Sequence, residues 1–201
     1  MYSIYFKTLL LFGIQLFFVG NLMAKSAHDY ASETHQNIIN IIKTEQVLFT
    51  NNPDEFTKII SSAFRPIVDF ERISRNVMGK YYKDANELQR KRFSSAFESS
   101  LLNTYAKTLV EFQDEKIVVI PPKNQSKRKD RAKVNIEIIT ATKKYSGNYS
   151  MYLDKNSQWK IVNIDIAGMD LGRIFRNQFY SLMEKNSLDY DRVIAKWEAS
   201  L

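Results

Sequence analysis

The segment "SETHQNIINIIKTEQVLF", residues 32 to 49, carries isoleucines at 38, 39, 41 and 42, then Leu48 and Phe49. That spacing predicts a helix with one broad apolar face. Asn52 stands where an N-cap belongs, and Pro53 takes the first helical position, where a missing N–H does no harm. Phe56, Ile59, Ile60 and Ala63 line the inner side of this second helix, which breaks before Pro66. In "FRPIVDFERISRNVMGKYY", residues 64 to 82, Asp69 is placed as a cap and Phe70, Ile73 and Val77 recur at helical spacing. Gly79 stands as the stop, in the left-handed conformation, and Arg72 and Arg75 fall on the flanks. The longest helix runs from about residue 87 to about residue 112. Phe93, Phe97, Leu101, Tyr105 and Leu109 fall four apart, with Lys91, Glu98, Asn103 and Lys107 elsewhere on its surface.

The period then shortens. "EKIVVIPP" reads as a strand stopped by two prolines. "AKVNIEIIT" alternates Val134, Ile136 and Ile138 inward against Asn135 and Glu137 outward, and "YSGNYSMYLD" continues with Tyr149, Met151 and Leu153. After the turn "DKNSQ", the strand "WKIVNIDIAG" puts Val162, Ile164 and Ile166 on one face. Trp159, Ile161, Asn163 and Asp165 then fall on the other. Two helices close the chain, from about residue 170 to about 183 and from residue 188, capped by Ser187, to 199. Helices, an antiparallel meander and helices again argue an α+β domain: a curved antiparallel sheet of about four to five strands with helices packed on one side.

Two features restrict this picture. "MYSIYFKTLLLFGIQLFFVGNLMAKS" has Lys7 as its only charge before an apolar run from residue 8 to 20, too short for a spanning helix, with small residues following at Ala24 and Ser26. Residues 1–24 therefore read as a signal peptide cleaved after Ala24, or after Ser26, leaving 25–201 as a single exported domain. There is no cysteine, which excludes disulfide staples, thiol nucleophiles and thiolate metal sites. Without Lys7 the chain has 28 basic residues against 22 acidic ones, a formal charge of +6. That sign favours anionic partners such as phospholipid headgroups or acidic protein faces, and nucleic acid fits poorly outside the cytoplasm. The densest basic run, "KNQSKRKDRAK" at residues 123 to 133, reads first as a solvated hairpin loop and second as a membrane-surface patch.

Catalytic constellations are scarce. The only histidines, His28 and His35, lie near the start of the exported chain with no partner close in sequence, so neither a histidine triad nor a multi-histidine metal site can be assembled. No phosphate loop, dinucleotide fingerprint or metalloprotease motif occurs. One enzymatic reading survives as the alternative: an exported isomerase or hydrolase of a small apolar substrate, with Asp165 as a carboxylate base in a curved-sheet cavity.

The stretch "VDFERISRNVMGKYYKDANELQRKRFSSAFESSLLNTYAKTLVEF" resembles the signature region of the MlaC family, also called the toluene-tolerance family. The matching positions are Met78, Gly79, Lys80, Tyr81 and Tyr82, then Phe93, Phe97, Leu101 and Tyr105. "WKIVNIDIAGMDLGRIFRNQF" is similar to the family's second block at Trp159, Gly168, Arg176, Gln178 and Phe179. It departs from that block at Asn163, where the family carries aspartate, and at Asp170, where it carries serine. The resemblance covers residues 30 to 199. It implies a monomeric, non-enzymatic carrier of the Gram-negative periplasm that shuttles phospholipid between outer and inner membranes, without a cofactor or metal. Its acyl chains would lie in an apolar pocket between sheet and helices. Two docking partners are implied: a lipid-binding ring on an inner-membrane ABC transporter, and an outer-membrane lipoprotein held on a porin. Inward periodicity alone nominates the pocket residues: Val77, Phe97, Leu101, Tyr105, Val134, Ile136, Ile138, Met151, Leu153, Val162, Ile164 and Ile166.

Overall fold

The computed structural model describes residues 25–111, 114–122 and 128–199. The expected signal peptide, and residues 123–127 of the basic run, lie outside the described residues, as do Phe112 and the side chain of Leu109. Three helices come first: α1 (Ala27–Asn51), α2 (Pro53–Phe64) and α3 (Phe70–Met78). A 3-10 turn (Gly79–Tyr82) leads into the long α4 (Glu87–Glu111). Strands β1 (Lys116–Val119), β2 (Arg131–Ile139), β3 (Lys144–Leu153), β4 (Trp159–Ile166) and the two-residue β5 (Met169–Asp170) form one antiparallel meander in chain order. Helices α5 (Leu171–Lys185) and α6 (Tyr190–Glu198) follow.

Local chemistry accounts for most helix starts. Ser26 caps α1 by accepting from the Asp29 amide, Asn52 caps α2 by accepting from Glu55, and Asp69 caps α3 by accepting from Arg72. The last helix differs from expectation. Ser187 and Leu188 have φ of 54° and 61°, outside the helical region, so α6 begins at Tyr190 with Asp189 as its cap. The turn absorbs two residues that periodicity had assigned to the helix. Glu98 also differs: it is not a solvated residue but accepts from Ser61 Oγ at 2.6 Å and Arg65 Nε at 2.7 Å, tying α4 to α2.

Strand β4 carries the larger correction. Met151 pairs with Ile161 and Ser150 with Asn163, so Val162 is an extra residue without a partner on β3. This bulge shifts the alternation. Trp159 and Ile161 join Ile164 and Ile166 on one face, opposite Leu153, Met151, Tyr149 and Gly147, while Asn163 and Asp165 turn to the other. The apolar face continues across Val134 and Ile136 on β2, which pair with Tyr149 and Gly147. Helices α1 and α3 pack against the sheet, with α2 and α4 joining α1 on that side. The outer face presents Lys133, Asn135, Ser146 and Asn148.

Two apolar clusters result. The sheet-side cluster joins Ile38, Ile42, Phe56, Ile60 and Leu102 to the sheet's inner face. The helical cluster joins Val77, Phe93, Phe97, Phe179, Met183, Ile194 and Trp197, with Phe93 stacked edge-on to Phe179 at 4.7 Å and to Trp197 at 5.2 Å. Helix α4 supplies both clusters: Phe93 and Phe97 from its first half, Leu102 from its second.

Gly79 joins α3 to the turn at φ 52° and ψ −118°, a backbone state open to glycine rather than the left-handed helical one expected. A Cβ there would overlap the Tyr180 hydroxyl, which accepts from the Lys80 amide at 2.9 Å. Gly79→Ala is expected to lower stability by about 2 kcal/mol or more, read as a lower urea midpoint at unchanged slope.

Candidate apolar binding site

The sheet-side cluster is incompletely closed. Val134, Ile136 and Met151 are buried at its floor, whereas Ile138, Leu153, Ile164 and Leu101 pack against it only half-buried. Ile117, Val119 and Val110 are half-buried there too. Tyr105, one turn beyond Leu101 on α4, is 39% exposed. These residues form an apolar compartment between the inner sheet face and the helices, packed at its floor and partly exposed at its margin.

The structure separates the other expected pocket residues from this compartment. Val77 and Phe97 belong to the helical cluster, where they are 0% and 1% exposed among closely packed rings. Val162 occupies the bulge, and Ile166, opposite Gly147, is half-buried outside both clusters. Sequence periodicity missed Trp159 and Ile161, which are buried on the inner face. Only the bulge reveals them, and it has no side-chain signature.

One polar pair lies in the compartment. His35, on the buried face of α1 between Ala31 and Ile38, has its Nε2 2.6 Å from the Tyr149 hydroxyl in the middle of β3. The rings meet edge-to-face at 5.3 Å. Burial holds the imidazole pKa down at about 4, so the ring is neutral at ordinary pH, and it pushes the Tyr149 phenol up. The sequence placed His35 without a partner because the two residues are 114 positions apart.

Two shallow grooves lie elsewhere. One, of about 420 Å³, runs over the outer sheet face past Asn135, Glu137, Asn148 and Asp165. Asp165 thus lies opposite Asn148 on the polar side of the sheet, not in the apolar compartment, which removes the setting that the carboxylate-base reading required. The other groove, of about 390 Å³, is basic, lined by Arg75, Lys80, Lys83 and Arg176 around Tyr82 and Tyr180. Among the described residues no three His, Asp or Glu side chains are grouped to hold a metal, and no helix is long and apolar enough to cross a membrane.

The fold and compartment define a class: an α+β domain whose open antiparallel sheet presents an apolar face to a one-sided cover of helices. Residues 32–199 match the MlaC protein family, and the chain belongs to it. It is 28% identical over 176 residues to toluene tolerance protein ttg2D of Pseudomonas putida, across 87% of this chain and 80% of that one. It is 20% identical over 189 residues to the intermembrane phospholipid transport system binding protein MlaC of Haemophilus influenzae, across 90% of this chain and 87% of that protein. A solved phospholipid-binding protein from Ralstonia solanacearum, in complex with a phospholipid, shares the fold with a TM-score of 0.79 at 19% identity. That match covers 88% of this chain and 97% of the other.

The two departures from the family's second block meet in space. Asn163 Nδ2 donates to Asp170 Oδ1 at 3.0 Å, and Asn163 Oδ1 accepts from the Gly172 amide at 3.0 Å. Asp170 also caps α5 by accepting from Arg173. Burial acts to raise the Asp170 pKa, but the hydrogen bonds from Arg173 and Asn163 outweigh it and hold the carboxyl below its usual range. Aspartate with serine would supply one acceptor and one donor across this corner. Asparagine with aspartate does the same with the roles exchanged.

His35 also makes stability depend on pH. Its folded pKa of about 4 lies below the ordinary histidine value of 6.5, so between those values the unfolded chain binds more protons. Stability attributable to this group is therefore full above about pH 6.5, falls as pH drops through that window and levels off below pH 4. The limit is about 3 kcal/mol. Urea unfolding of the purified chain against His35→Leu at pH 7 and pH 4.5 should show a steeper loss in the wild type, other titrating groups cancelling in the difference.

Proposed function

We propose that this chain is a periplasmic phospholipid carrier that holds acyl chains in the compartment between the inner sheet face and the helices. The observation that carries the proposal is the half-buried apolar rim of Leu101, Ile138, Leu153 and Ile164 around a buried apolar floor. An apolar surface left partly open is stabilised by a ligand that completes its burial. Family membership supports the reading, as does the shared fold with a Ralstonia protein that carries phospholipid. In this proposal residues 1–24 are removed on export and the domain 25–201 acts as a monomer. It docks in turn on a lipid-binding ring of an inner-membrane ABC transporter and on an outer-membrane lipoprotein held by a porin, and it performs no covalent chemistry.

The energetic need is large. At about 0.8 kcal/mol per methylene, two acyl chains of about 30 methylenes would cost on the order of 24 kcal/mol to expose to water. A dry compartment removes most of that cost, and release then requires it to open at the acceptor.

Native mass spectrometry of the purified mature chain, followed by organic extraction, tests the reading. Phospholipid should co-purify or load from liposomes; its absence by both routes overturns the proposal. Ile138→Glu, at the half-buried rim, should keep the far-UV circular dichroism spectrum and lose about tenfold or more of the extractable lipid, because the carboxylate would be desolvated by the bound chain. Asp165→Asn, on the outer face, should leave lipid content unchanged. An exported enzyme using that carboxylate would instead lose its turnover.

A further inference from the structure

We propose that His35 and Tyr149 form a subsite for the ester carbonyl of a glycerolipid, in which His35 Nδ1–H donates to the carbonyl oxygen. The inference rests on the carrier reading and adds the chemical group that fixes the lipid in place.

The pair lies among apolar neighbours. His35 is 9% exposed, with Ala31 and Ile38 one turn away on either side of α1. Tyr149 is 8% exposed and sits between Val134 and Ile164 as its cross-strand neighbours. A chain lying between α1 and the inner sheet face therefore meets methyl and methylene groups along its length and this pair in the middle.

Hydrogen-bond accounting assigns the tautomer. Nε2 and the Tyr149 oxygen are 2.6 Å apart, and His35 Nδ1 is buried without a hydrogen-bond partner among the described residues. If Nε2 carried the hydrogen, it would donate to Tyr149, leaving both the phenolic hydrogen and the Nδ1 lone pair without a bond in this pair. If Tyr149 donates to Nε2, the hydroxyl hydrogen is satisfied and one group is left over, the Nδ1–H. The second arrangement leaves fewer buried polar groups unpaired. The leftover group is then a donor, and it selects for a ligand bearing an acceptor.

The acceptor is neutral. The imidazole is held uncharged by its burial, so a phosphate brought beside it would be desolvated without a counter-charge. An ester carbonyl is an acceptor without charge and lies at the junction of chain and headgroup, at the end of an apolar segment. The subsite therefore favours ester-linked diacyl lipids over ether-linked dialkyl lipids of the same headgroup and chain length, which lack that oxygen.

The comparison of those two lipids is the test, using the purified mature chain and vesicles of either lipid, with loading quantified by native mass spectrometry. The wild type should favour the ester lipid by about fivefold to tenfold, the ratio expected of one buried hydrogen bond. His35→Leu should bring the ratio to about one, and His35→Asn, whose amide N–H comes near the Nδ1 position, should restore part of it. A pair that only ties α1 to the sheet would change stability in these variants without moving the ratio. Wild-type chain that loads both lipids equally overturns the subsite and leaves the carrier reading standing, even should the variants fail to fold. Wild-type chain that loads neither overturns the carrier reading, and the subsite with it.

Discussion

The fold depends on a backbone clamp at Ile161. Its amide donates to the Ile67 carbonyl at 2.8 Å and its carbonyl accepts from the Asp69 amide at 3.0 Å, so residues 67–69 lie along β4 as a short parallel partner. This covers part of an edge that would otherwise present unpaired N–H and C=O groups. It also fixes Asp69, whose carboxylate caps α3 and accepts from the Tyr152 hydroxyl on the outer face of β3. Arg72 lies over the Tyr152 ring at 4.1 Å. Because α3 carries Val77 and Met78 into the helical cluster, one strand edge holds both clusters in register.

The two clusters use the same kinds of residue and finish differently. Helix meets helix around Phe93, Phe97, Phe179 and Trp197, and large rings fill the space between cylinders to near-zero exposure. A sheet is broader than the helices laid over it, so its central residues are sealed while Ile138, Leu153 and Ile164 keep partial access to water. The compartment is thus a consequence of shape: a one-sided cover on a broad apolar face.

Much of this was legible along the chain. Periodicity located α2, α3, α4 and the alternation of β2 to within a residue or two, and the order of elements led to the α+β class. The losses have physical causes. The stripe of Phe93, Phe97, Leu101 and Tyr105 looks uniform because a helical period reports a face and not the neighbours it meets, and the face runs from a sealed cluster to an open rim. The bulge at Val162 is a backbone event, and one extra residue was enough to exchange the faces of Trp159 and Ile161. The loop at Ser187 and Leu188 adopts positive φ without a glycine to announce it.

A compartment made only of apolar surface has a weakness as a carrier site, because its attraction is proportional to area and has no direction. A chain can slide within it, each further methylene contributing about 0.8 kcal/mol until headgroup desolvation opposes deeper entry. A hydrogen bond at His35 contributes about 1 kcal/mol, comparable to one methylene. That is too little to hold a lipid and enough to favour one register among positions a methylene apart. A strong polar clamp would oppose release, whereas a single neutral bond sets depth and lets the apolar area supply the affinity. The other ring nitrogen, Nε2, bonded to the Tyr149 hydroxyl across α1 and β3, keeps the helix aligned over the sheet.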